Sequence, residues 1–93
     1  MKNSGSQYPA LTKMPNIGET LAHKLETVGI NTPEDLINAG SEQAIVRIAT
    51  LDNSGACINM LYALEGAIRG IRWHGLSAER QNELKEYYRM LNK

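Results

Sequence analysis

Histidine and cysteine are the side chains best suited to hold a transition metal, and this sequence has three of them: His23, Cys57 and His74. None lies within a helical turn of another, whereas structural metal sites draw their ligands from closely spaced pairs. Cys57 falls in a strongly apolar stretch, where a thiol is expected to be buried and inert. Asp35, Asp52 and Glu65 show no paired arrangement that would suit general acid and base work. No phosphate loop, nucleophile elbow or zinc knuckle can be traced. The expectation is therefore no catalytic residue, no metal and no cofactor. Glu65 still stands out, because it interrupts an apolar helix. It precedes Arg69 by four residues, the favourable order for an ion pair, and Arg72 is a second cation within reach. A partly buried pair that fixes this helix against the N-terminal hairpin is expected.

The stretch with the best-defined binding chemistry is Met14-Pro15-Asn16-Ile17-Gly18. Pro15 fixes φ and has no N–H, so any preceding helical turn should end by about Met14. Asn16 and Gly18 are the residues here that best tolerate positive φ. A hairpin of this kind between two helices can offer backbone N–H groups to a phosphate. Its candidate contacts are Lys13, Asn16, Ile17, Gly18 and Lys24. The same turn is also needed simply to reverse the chain. Glu19, immediately after the second small residue, places a carboxylate where a phosphate would sit.

Helices must position these residues. Leu21, Ala22, Leu25 and Val28 recur at helical spacing and predict a helix over 18–28, closed by Gly29 in the left-handed region. Thr32 is a good N-cap, with Pro33 at the first helical position and Glu34 and Asp35 facing the positive end of the dipole. This predicts a second helix over 33–39. Ser41 is read as the cap of a third, over 42–50, with Ala44, Ile45, Ile48 and Ala49 on its apolar face. Asp52-Asn53-Ser54-Gly55 breaks the chain and supplies capping oxygens for a fourth helix, over 55–70. That helix is apolar nearly all round and should be the most buried. Gly66 and Gly70 would allow a close helix crossing. Arg72, Trp73 and His74 lie in a connector and form a candidate partner surface. A fifth helix, over 78–91, starts at Ser77 and packs through Leu84, Tyr87, Tyr88 and Leu91.

Bulk properties limit the function classes. The 93 residues suit one small domain, and 42% apolar content is enough for one core. Ten basic and ten acidic residues give zero net charge, which argues against strong nonspecific binding to nucleic acid or an anionic membrane. The charge is uneven: six bases face four acids from Ser54 onward, and four face six before it. A single cysteine excludes an internal disulfide and fits a reducing cytoplasm. No apolar run approaches the roughly 18 residues of a membrane span. Residues 1–10 are polar and read as a flexible tail, unlike a signal peptide.

Leu61-Tyr62-Ala63-Leu64-Glu65-Gly66-Ala67, followed by Gly70, Arg72-Trp73 and Leu76, resembles the C-terminal domain of the TfoX/Sxy competence regulators. So does Pro15-Asn16-Ile17-Gly18 with Val28-Gly29-Ile30, Thr32 and Glu34-Asp35-Leu36. The resemblance runs from Leu11 to about Leu91. It implies a compact all-α single domain of five helices over 11–93, with a helix-hairpin-helix-like N-terminal half. The family's regulators carry an α/β domain ahead of this one, and the short tail here suggests a stand-alone module. The resemblance implies a non-enzymatic bacterial regulatory domain that binds a protein partner or itself, as a dimer for example. Weak, sequence-independent nucleic-acid binding through the hairpin is the alternative.

Overall fold

Leu25 and Ile30 show how the first half is built. Both are buried, one inside a helix and one just beyond it, and the backbone between them closes in a left-handed residue, Gly29, at φ 90°. The Ile30 N–H donates to the Leu25 carbonyl at 2.9 Å, the 6→1 bond that ends such helices. The computed structural model describes residues 9–91 and is helical throughout, with no strand among them. A single turn, α1 (Pro9–Thr12), leads through the hairpin into α2 (Glu19–Thr27), then α3 (Pro33–Ala49), α4 (Ile58–Arg69), a short 3-10 turn η1 (Trp73–Gly75) and α5 (Ala78–Leu91). The expected tail lies outside the described residues as far as residue 8, and Pro9 and Ala10 open α1.

The five expected helices are all present. The second and third run together as α3 but are separated by Gly40, whose φ of 83° and ψ of 158° break the helical path. Thr32 caps α3 by accepting from the Asp35 N–H at 3.1 Å, and the Asp35 carboxylate accepts from the Asn31 N–H at 3.0 Å. Ser77 caps α5 in the same way, accepting from the Arg80 N–H at 3.0 Å.

Five local expectations need correction. Ser41 does not cap a helix: it is buried, and its hydroxyl donates to Glu65. α4 starts at Ile58, three residues later than expected, because Asn53 and Gly55 take positive φ and Ser54 accepts from the Ala56 N–H. Its N-cap is Cys57, with no side-chain cap, and the thiol is exposed. Ala49 is also exposed. Gly18 is extended, at φ −97°, so Asn16, at φ 72°, is the left-handed residue of the hairpin.

One core holds the molecule together. Leu11, Ile17, Leu25, Ile30, Leu36, Ile45, Ile48, Leu61, Leu64 and Leu84 all contribute to it. α4 carries the largest share of central contacts, lying against α3, η1 and α5. The Gly66 and Gly70 pair has two separate roles. Gly70, at φ 75°, ends α4. Gly66 admits the hairpin: a Cβ there would stand 2.6 Å from Asn16 Nδ2 and 2.8 Å from the Ile71 carbonyl oxygen. Gly66→Ala is therefore expected to destabilise the domain by about 1–3 kcal/mol through overpacking. Leu61→Ala and Leu64→Ala should each lose about 2–5 kcal/mol as buried cavities. Urea unfolding followed by circular dichroism measures all three, and unchanged midpoints would contradict this packing.

Candidate interaction surface

The hairpin is bolted to the other end of the chain. Asn16 Nδ2 donates to the Ile71 carbonyl at 2.9 Å and to the Ala63 carbonyl at 3.4 Å, while its Oδ1 accepts from the Trp73 N–H at 3.2 Å. This amide thus satisfies the Ile71 carbonyl and the Trp73 N–H between α4 and η1, which lie outside the helical ladder of α4, and adds a longer bond to the Ala63 carbonyl inside it. Among the candidate phosphate contacts, Asn16 is committed to these bonds and Ile17 is a core residue, 5% exposed. Lys13 and Gly18 are exposed, and a Cβ at Gly18 would meet nothing within 4 Å. Lys24 is half-buried and points toward the α3–α4 loop, its Nζ 3.9 Å from where a Cβ on Gly55 would stand.

The same bolt positions Trp73. Its ring stacks with Tyr62 of α4 at 5.5 Å between centroids and with His74 at 4.0 Å. Trp73 is half-buried, and Arg72 and His74 are exposed on either side of it, next to exposed Ile71. The three residues read from the sequence as a partner surface therefore form one strip, held from below by Asn16.

Glu65 sits elsewhere, at the junction of three helices. Its carboxylate accepts from Ser41 of α3 at 2.6 Å, from Arg69 of α4 at 2.6 Å and from Arg80 of α5 at 3.0 Å. Arg80 is the second cation, not Arg72, and it reaches on to Glu83 at 2.9 Å and Glu42 at 3.5 Å. The network joins α4 to α3 and α5, and the hairpin has no part in it. Burial pushes the Glu65 carboxyl up, but hydrogen bonds from Arg80, Ser41 and Arg69 outweigh that and hold it at about 2. In turn, the hydrogen bonds that Arg80 donates to Glu65 raise its guanidinium above the usual value. No side-chain polar atom buried among the described residues lacks a partner.

His23, Cys57 and His74 do not converge, and among the described residues no three His, Cys, Asp or Glu side chains lie close enough to hold a metal. No helix among them is long and apolar enough to cross a membrane. Sequence reasoning missed a groove between α4 and α5, lined by Ile58, Tyr62, Lys85, Tyr88 and Arg89. Its only signal in the sequence is the helical spacing of Lys85, Tyr88 and Arg89.

The fold and its buttressed hairpin define a small helical domain of the helix-hairpin-helix-like type. Residues 8–88 match the TfoX C-terminal domain, and the chain belongs to that family, which is of a regulatory kind. A triclinic crystal structure of an uncharacterized protein from Listeria monocytogenes is similar at 46% identity, with a TM-score of 0.84 over 88% of this chain and 92% of that one. A tetragonal form of a Listeria monocytogenes protein of unknown function is also 46% identical, with a TM-score of 0.81 over 86% of this chain and 98% of that one. No curated protein matches the chain.

The depressed Glu65 pKa sets a pH dependence. An ionised Glu65 stabilises the fold above the ordinary carboxylate pKa of 4.5, and this contribution fades as pH falls toward about 2. The stability difference between wild type and Glu65→Gln is therefore expected to be largest near neutrality and to shrink from pH 4.5 down to about 2. Urea titrations of both proteins across that range measure it, and a constant difference would refute the network.

Proposed function

We propose that this domain is a non-enzymatic interaction module of a bacterial, cytoplasmic regulator. Its contact surface is the strip of Arg72, Trp73 and His74, and it takes a protein partner or a second copy of itself. The observation that carries this reading is the buttressing of η1, which holds Trp73 half-exposed between an arginine and a histidine on a rigid base. Tryptophan and arginine on pre-organised backbone are the residue types that dominate binding energy at protein interfaces. The most strongly perturbed carboxylate, Glu65, is unsuited to acid–base catalysis at neutral pH, being held at about 2 with its oxygens already engaged.

A photo-reactive phenylalanine analogue placed at His74, and in a control at exposed Glu26 of α2, tests this in cells. Cross-links to a protein are expected from position 74 and not from 26. Equal yields from the two positions would defeat the reading.

A second reading is favoured by the open space at Gly18, which leaves the α2 N-terminus sterically accessible to a phosphate. Only Lys13 and Lys24 would assist, so counterion release gives a shallow log–log salt slope of roughly −1 to −2 and a Kd no tighter than about 10⁻⁴ to 10⁻⁶ M. Glu19→Lys should tighten binding and Lys24→Glu should weaken it, as read by fluorescence anisotropy with duplex and single-stranded DNA at two salt concentrations. If neither wild type nor Glu19→Lys binds at tens of micromolar in low salt, the hairpin is scaffold.

A further inference from the structure

The α4–α5 seam opens on one side into a groove of about 650 Å³ with a predominantly apolar floor of Ile58, Tyr62 and Tyr88. That floor is held in place. The Tyr88 hydroxyl donates to the Ala56 carbonyl at 2.9 Å, and Tyr62 stacks with Trp73, which makes the groove continuous with the Arg72–His74 strip. Lys85 and Arg89, one helical turn apart on α5, form a cationic rim, and no acid lines the groove. Of the acids of α5, Glu83 engages Arg80 at the Glu65 junction, whereas Glu86 pairs with Arg89 and offsets part of the charge on that side of the rim. A chain of zero net charge thus carries a local cationic edge over an apolar trough.

We propose that this groove receives an acidic amphipathic segment of a partner protein, with apolar side chains on the tyrosine floor and carboxylates toward Lys85 and Arg89. The proposal rests on the interaction-module reading and names the chemistry of its partner. Charge complementarity selects this occupant. A second copy docked symmetrically would set Lys85 and Arg89 against their own counterparts, a like-charge contact. A single nucleic-acid strand would find half-buried tyrosine rings in place of exposed stacking platforms.

The test uses the whole chain and a synthetic 18-residue amphipathic helix. Leucines occupy the i, i+3, i+4 and i+7 positions of the peptide and glutamates the rest. Trp73, the single tryptophan, reports binding through its emission. The comparators are the same peptide with lysine in place of glutamate and a 20-nucleotide oligo-dT. The glutamate peptide is expected to bind at least tenfold tighter than the lysine peptide at low salt. The double variant Lys85→Glu with Arg89→Glu, whose exposed positions leave the core intact, should reverse that order without lowering Tm. Ile58→Asn should weaken both peptides. Equal affinity for the two peptides, an unchanged glutamate-peptide affinity in the double variant, or oligo-dT binding lost in that variant would each overturn the proposal. So would a concentration-dependent dimer abolished by Ile58→Asn. Cross-linking from position 74 with no preference for the glutamate peptide retires the groove and leaves the strip. Failure of the cross-link alone retires the strip.

Discussion

A side chain at position 66 and an asparagine at position 16 cannot occupy the same space, and the architecture turns on that exclusion. The missing Cβ of Gly66 leaves room for the Asn16 amide, which then bonds to backbone groups of Ala63, Ile71 and Trp73. Removing the amide would take its partner from the part-buried Trp73 N–H and from the Ile71 carbonyl, and the loss of such bonds is costly. Adding a methyl at 66 would push the hairpin off its support. Hairpin and η1 are in this sense one unit, although more than fifty residues separate them in sequence.

The second fastening is ionic and sits at the Glu65 junction. A carboxylate that is 6% exposed is tolerable only when its lone pairs are matched, and here a hydroxyl from α3 and guanidinium groups from α4 and α5 match them. Together the two fastenings leave the outer edge of α4 and α5 uncommitted. The aromatic strip and the tyrosine-floored groove lie on that edge, built from residues that hold the fold at one end and face outward at the other.

Local chemistry made much of this readable in the sequence. Thr32-Pro33, Gly29 and Ser77 act through their own backbone geometry or their nearest neighbours, and each performs the expected role, whereas Gly70, expected at a helix crossing, ends α4 instead. The hairpin at Pro15-Asn16 and the clustering of Arg72, Trp73 and His74 were visible for the same reason. The choice of Arg80 over Arg72 as the partner of Glu65 was not, since it depends on where α5 docks and not on spacing within α4. Gly66 was recognised as a site of close approach but assigned to a helix crossing, because a missing side chain does not say what fills its place. Cys57 was expected inside α4 because its neighbours are apolar. The turns at Asn53 and Gly55 delay the helix and leave the thiol at its mouth. The groove needs two helices side by side, so no single stretch could reveal it.

Arg80 also makes the Glu65 junction depend on α5. Without α5, the α3–α4 pair would carry a half-covered carboxylate with Ser41 and Arg69 as its remaining partners. Docking of α5 therefore does two things together: it brings Arg80 to the Glu65 carboxylate, and it buries Leu84 in the core. The groove at this seam needs a wall from each helix, so it exists only while α5 is closed against α4.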